Sequence, residues 1–225
     1  MLRSEIESAV CRAKELLEKQ MFRLPPIGYW TMEDFKRQKD LGVIKKTMLG
    51  WDVTDFGQGD FKKVGCVLFT LRNGTQDKVG TPYAEKLIVL AEGQRLPLHF
   101  HYKKTEDIIN RGGGVIYIQL YNSLSDGSVD YEKDVFVWMD GIGCSVHAGE
   151  EHLITPGSSI TLTPGMYHLF GAKEGYGDVL CGEVSAINDD KIDNRFAEDV
   201  SRFTLITEDI ARRTLLCNEY VELPD

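Results

Sequence analysis

A mainly β chain is what this sequence predicts: an antiparallel sandwich or barrel with helices before it and a short helix after it. Three observations predict it. Between about Lys62 and Ile187 the residues fall into short segments rich in Val, Ile, Tyr, Phe and Thr. Turn-forming pairs separate them, among them Asn73-Gly74, Asp126-Gly127, Asp140-Gly141, Pro156-Gly157 and Pro164-Gly165. Helical periodicity, by contrast, is concentrated before that region.

From Ser4 to about Gln20, Ile6, Val10, Ala13, Leu17 and Met21 recur at helical spacing, Ser4 and Glu7 are spaced as a capping box, and Pro25-Pro26 end the pattern. A second helix is expected from Met32 to Lys39, with Thr31 as N-cap, Asp34 three residues on and Gly42 just beyond the end. The segment GWDVTDFGQGDF, Gly50 to Phe61, is turn-rich and reads as a cap on the barrel mouth or a partner contact. The strand candidates are VGCVLFTLR, YAEKLIVLAE, LPLHFHYK, GVIYIQLYN, DVFVWMDG, SSITLTP and DVLCGEVSAI. Seven strands at this spacing suit a double-sheet jelly roll, which removes most exposed edges. Asn188 to Asp225 is polar, with a helix expected around Glu208 to Leu216. The expected organisation is a single domain, 1–225: a helical extension over 1–60, the barrel over 61–187, and a C-terminal segment over 188–225.

Composition excludes several classes. With 42% apolar and 27% charged residues in 225, the chain can bury a sizeable core. A net charge of -9, from 35 acidic against 26 basic residues, repels phosphate backbones and anionic lipid, so neither nucleic acid nor a membrane is expected as partner. Five scattered cysteines without a C-x-x-C pair indicate reduced thiols, not a disulfide framework or a zinc ribbon. The N-terminus carries no basic-then-apolar leader, and no apolar run approaches the ~20 residues of a membrane helix, so a cytoplasmic location is expected.

Function concentrates in LHFHYKKTEDIINRGGG, Leu98 to Gly114, because the whole chain has only five histidines. Residues two apart in a strand point to one side, so His99 and His101 present two imidazoles to one face, half a metal site, while Phe100 and Tyr102 face away. Glu106, five residues after His101, needs a bend after Tyr102 to join them. Gly112-Gly113-Gly114 then supply a tight reversal. A third imidazole is available from His168 in TPGMYHLF, where Pro164-Gly165 open a strand. His147 and His152, in HAGEEH, read as surface loop residues.

Gly93, His99-Phe100-His101, Glu106 and Gly113 reproduce the spacing of the first cupin motif, and Gly165-x-x-His168 resembles part of the second, although Pro164 and Gly165 are adjacent and Ala172 stands where an asparagine is usual. The resemblance implies a jelly-roll barrel holding a metal through His99, His101, Glu106 and His168. More closely, LHFHYKKTEDIINRGGG and GEVSAINDDKIDNRF, Gly182 to Phe196, resemble the bacterial D-lyxose isomerases. These are cupin sugar isomerases that interconvert D-lyxose with D-xylulose and D-mannose with D-fructose. The resemblance implies a monosaccharide substrate, a divalent metal, Mn2+ first with Fe, Co, Ni or Zn as alternatives, and a homodimer.

The residues suit that chemistry. Three imidazoles and a carboxylate leave about two positions of an octahedral ion open for adjacent sugar oxygens, unlike a closed structural zinc site. Moving a proton from C2 to C1 also needs acid/base groups. Lys104, two residues from Glu106 and next to a dication that would depress its pKa, is the first candidate. Glu183 is the second, pointing into the barrel if Val179 and Cys181 share its side; an ion pair with Lys104 is its structural alternative. In the family, NDDKIDNRF closes over the sugar, so Asp190 and Arg195 are expected to hydrogen-bond its distal hydroxyls, with Asp189 and Asp193 as alternatives. Tyr102, Tyr117, Phe136 and Trp138 are further candidates for a sugar-sized cavity, although aromatic residues in barrels mostly pack the core. Two rivals remain at this level: a cupin iron dioxygenase, which needs neither Lys104 nor Glu183, and a non-catalytic sugar-binding cupin.

Overall fold

The amphipathic helix predicted from Ser4 begins one residue earlier, as α1 (Arg3–Lys19), in a computed structural model that describes residues 1–187, 189 and 192–223. Leu2 is its N-cap, and its N–H donates to Glu5 Oε2 at 2.9 Å. The expected capping pair, Ser4 and Glu7, is used otherwise. Ser4 donates to Asp209, and Glu7 accepts from the N–H groups of Arg213 and Thr214, so both tie the helix to the C-terminal segment. A 3-10 turn (Pro26–Tyr29) follows. Helix α2 (Met32–Arg37) has the predicted cap, Thr31 Oγ1 accepting from Asp34 N at 3.2 Å. Gly42 does not stop a helix but starts one, α3 (Gly42–Thr47).

The strands are β1 (Gly50–Thr54), β2 (Cys66–Gly74), β3 (Gly80–Leu90), β4 (His99–His101), β5 (Glu106–Gly113), β6 (Ile116–Ser123), β7 (Val129–Asp130), β8 (Val135–Met139), β9 (Ile142–Val146), β10 (His152–Ile154), β11 (Ser159–Leu162), β12 (Tyr167–Ala172), β13 (Val179–Ala186) and β14 (Asn194–Phe196). They pair antiparallel in two curled sheets, ordered β1-β2-β3-β13-β5-β11-β8-β9 and β10-β6-β12-β4-β14, with β7 on β6. This is the two-sheet barrel expected of a cupin.

Several assignments change. The turn-rich GWDVT segment is strand β1, because Trp51 and Val53 face α1 while Asp52 and Thr54 face the barrel. The sheets therefore take in Gly50–Thr54 and Asn194–Phe196, on either side of 61–187. His152 lies in β10, not in a loop, whereas His147 is exposed. No helix forms over 208–216; the C-terminal helix is a 3-10 turn at Cys217–Glu222, where Tyr220 and Leu223 pack with Phe35. Gly113 has φ +87°, and a side chain there would collide with the carbonyl of Asp178, which explains the glycine run.

Parity separates two cores. Cys66, Leu68, Ile88, Leu90, Ile108 and Cys181 fill the barrel, while Val67, Phe69, Leu87, Val89 and Leu180 face outward against Ile6, Val10, Ala13 and Leu17 of α1. The helix is also bolted by Arg3, fully buried, which pairs with Glu208 at 2.6 Å and with Glu219. Arg3→Ala is expected to cost about 3 kcal/mol, the low end for breaking a buried pair, because Arg212 still reaches Glu219 at 3.0 Å. Denaturant midpoints at unchanged m-value measure it.

Candidate metal centre

The three imidazoles meet because β4 lies beside β12 with His168 directly opposite His99. Their ligand nitrogens lie within 4.8 Å of one another, and all three residues are buried. Two ring orientations are set by the backbone: His99 Nδ1–H donates to Pro97 O at 2.8 Å and His168 Nδ1–H donates to Met166 O at 2.9 Å. Each bond leaves the Nε2 lone pair directed elsewhere, the arrangement that orients histidine ligands in metal sites. Burial, reinforced by His168 and His101, holds His99 well below its ordinary pKa and therefore neutral, the form that ligates.

Glu106 joins them at the start of β5, after a turn at Tyr102–Lys103. Its Oε1 lies 3.1 Å from His101 Nε2 and 3.3 Å from His168 Nε2, the latter without hydrogen-bond geometry. Burial alone would raise this carboxyl, but Lys104, and after it His101, outweigh burial and hold it well below the usual carboxylate range. His101 Nδ1 and His168 Nε2 are buried with no hydrogen-bond partner, a costly state for polar nitrogens that a cation would relieve. A set of three imidazoles with one carboxylate thus fits a divalent ion.

A line of charges leads away from this cluster. Lys104 Nζ is 2.6 Å from Glu106 Oε2 and 2.9 Å from Glu183 Oε1, and Lys86 Nζ is 3.5 Å from the same Glu183 oxygen. All four groups are buried. Glu183 points inward with Val179 and Cys181 as parity required, and Lys103, in the turn between β4 and β5, is exposed. Sequence reasoning missed Lys86. The signal was available, since Lys86 shares parity with the barrel residues Ile88 and Leu90, and a lysine on that face needs a partner.

The turn bearing Lys104 is held by Asp193. This buried carboxylate accepts from the N–H groups of Lys103 at 2.9 Å and Lys104 at 3.1 Å, and its carbonyl accepts from Tyr102 N at 3.0 Å. Of the three aspartates, Asp189 is exposed, and Asp190 lies outside the described residues.

Arg195 does not reach the cluster. In β14, Asn194 pairs with His101 and Phe196 with His99, so those two face inward and line the cavity at the imidazoles. Arg195 pairs with Phe100 and faces out, towards the hydroxyls of Tyr102 and Tyr167 and the carbonyl of Asp126. The guanidinium that does line the cavity belongs to Arg202. The aromatic walls are likewise Phe56, Phe170 and Phe196, whereas Tyr102, Phe136 and Trp138 are exposed.

The family model described as D-lyxose isomerase matches residues 1–220. A D-lyxose/D-mannose isomerase of Escherichia coli O157:H7 is 41% identical over 229 residues, covering 98% of each chain. Its namesake from Serratia proteamaculans is 46% identical over 208 residues, covering 88% of each. Among solved structures, the L-ribose isomerase of Acinetobacter sp. DL28 in complex with L-ribose superposes with a TM-score of 0.60 at 16% identity, covering 92% of this chain and 98% of that one. The Cellulomonas parahominis L-ribose isomerase gives 0.59 at 14% identity, with the same coverage, and these two show the shared fold.

Proposed function

The chain belongs to the D-lyxose isomerase family, and on that premise we propose that it interconverts D-lyxose with D-xylulose, and D-mannose with D-fructose, through an enediol. The observation that carries this reading is the unbroken line from three buried imidazoles through Glu106 and Lys104 to Glu183, a candidate ligand set adjoining a lysine–glutamate pair. An oxygenase or a binding module has no use for that pair, and the family membership speaks against both.

His99, His101, Glu106 and His168 are the proposed holders of a divalent ion. When bound, it would supply positive charge at the two sugar oxygens where negative charge develops. The mixed nitrogen and oxygen donors suit Mn2+, and Fe, Co, Ni or Zn are compatible with them. The chain's own residues carry the protons. Glu183 takes the proton from C2, exchanges it with solvent and delivers one to C1. Lys104 gives a proton to O1 and recovers one from O2, so no net proton is consumed. Its ammonium, 2.9 Å from Glu183 Oε1, and that of Lys86, 3.5 Å from the same oxygen, hold the Glu183 side chain in place. Asp193 holds the Lys104 turn in register with the histidines. Phe56, Phe170 and Phe196 keep water from the reacting carbons.

Metal-stripped protein, with and without added Mn2+, is incubated with D-lyxose in deuterated water and followed by NMR. The expected product is D-xylulose labelled at C1, formed only with metal. Unlabelled xylulose would remove the solvent-exchanging proton route, and no ketose from lyxose or mannose would remove the isomerase reading.

Two further expectations belong to the same reading. Five free cysteines support a reducing, cytoplasmic location, and none of the described helices is long and apolar enough to cross a membrane. Phe136 and Trp138, exposed side by side on β8 with ring centroids 5.1 Å apart, support a homodimer, which sedimentation equilibrium tests.

A further inference from the structure

The cavity at the imidazoles is too small for a sugar. Its volume is about 40 Å³, room for about three water-sized atoms at ~10–15 Å³ each, far fewer than a pentose contains. Beside it lies a second cavity of about 320 Å³, within the usual size of small-molecule clefts, and Leu68, Lys86 and Arg202 line both.

The strand register explains why the second cavity is polar. Thr70 pairs with Lys86 and Lys86 with Glu183 on the inner face, and one rung away Asp52 pairs with Leu68. Asp52 is only 3% exposed. Its Oδ2 accepts from Arg202 Nη1 at 2.7 Å, while its Oδ1 is buried and accepts nothing. A buried carboxylate oxygen without a donor is destabilising unless a ligand provides one. The wall it belongs to also carries Thr70 and Asn73, groups suited to a polyol and not to an apolar guest.

We propose that this second cavity is the subsite for the non-reacting end of the sugar, and that Asp52 Oδ1 accepts a hydrogen bond from the terminal hydroxyl. The inference rests on the isomerase reading and adds a specificity-determining residue to it. Arg202 fixes the Asp52 carboxylate and, with Lys86, lines the passage through which the carbon chain runs from the reacting end. A pentose and a hexose then differ in how their last hydroxyl meets one fixed acceptor.

The test pairs a substrate change with a protein change, so that a general loss of stability cancels. The kcat/KM of metal-loaded protein is measured for D-lyxose and for 5-deoxy-D-lyxose, in wild type, Asp52→Ala and the isosteric Asp52→Asn. In wild type the missing hydroxyl is expected to lower kcat/KM by roughly tenfold to a hundredfold, the range for a hydrogen bond to a charged group. In Asp52→Ala that penalty should shrink to about threefold or less, and in Asp52→Asn to an intermediate value, consistent with a weaker neutral acceptor. Should Asp52→Ala not fold, the asparagine variant decides by itself. A penalty of the same size in wild type and both variants, or none in wild type, overturns the inference and leaves the isomerase reading intact. Wild type that turns over neither sugar overturns both.

Discussion

Glu183→Gln is expected to lower kcat by about 10²- to 10⁴-fold, the range for a positioned acid/base group, while bound metal is unchanged. The amide has the size of the carboxylate and can accept from Lys104 Nζ, which lies 2.9 Å from Oε1, so the barrel wall keeps its shape. What disappears is the ability to take a proton from carbon. The metal is expected to stay because its holders lie on β4, β5 and β12, not on β13. Lys104→Ala should likewise retain metal and lose turnover, with an added cost in stability, since Glu106 and Glu183 then face each other without the ammonium that separates them. Metal content and kcat, measured on the same dialysed preparations, check both. Retained turnover in both variants would remove the proton-transfer assignment.

His99→Ala and Glu106→Ala have the opposite signature, in which metal and turnover fall together. Each removes a donor from a small buried set, and partners that merely orient such donors already change affinity by about 10- to 100-fold, so a loss of at least 100-fold is expected from a donor itself. Glu106→Ala also takes one partner from Lys104 and a carboxylate from the cluster. The measurement is metal content after dialysis against a known free concentration, with activity assayed before and after Mn2+ is added in excess. Full metal content in either variant would show that the ion sits elsewhere. The contrast with Glu183→Gln separates holding the ion from moving the proton, which no single variant achieves.

The site was legible in sequence to different depths, for reasons that can be named. His99 and His101 were readable because the strand period of two is local and obligatory. Glu183 was readable for the same reason, through Val179 and Cys181, and both fill the barrel core. Lys86 obeyed the same rule and was overlooked among the apolar residues of its strand. Arg195 was misplaced by one position of alternation: NDDKIDNRF pairs with β4 so that Asn194 and Phe196 face the histidines and Arg195 faces away. Nothing local announces which register a three-residue strand will adopt. Strand β1 was hidden because its flanks, Thr54 to Gly59, are rich in turn residues, and only the packing of Trp51 and Val53 under α1 makes the segment a strand.

The sequence by itself determined the class of the barrel, the family, the pair of imidazoles on β4 and the identity of the carboxylates and lysines available to them. Those depend on spacing along one chain and on side-chain chemistry, which do not change on folding. Tertiary structure decided which distant groups meet: His168 opposite His99, Asp193 under the Lys104 turn, and Lys86, Arg202 and Asp52 around a second cavity. Such meetings follow from the pairing of strands far apart in the chain, where a shift of one residue turns every side chain to the other face. Burial of the whole barrel, not any local preference, selects the register that is found.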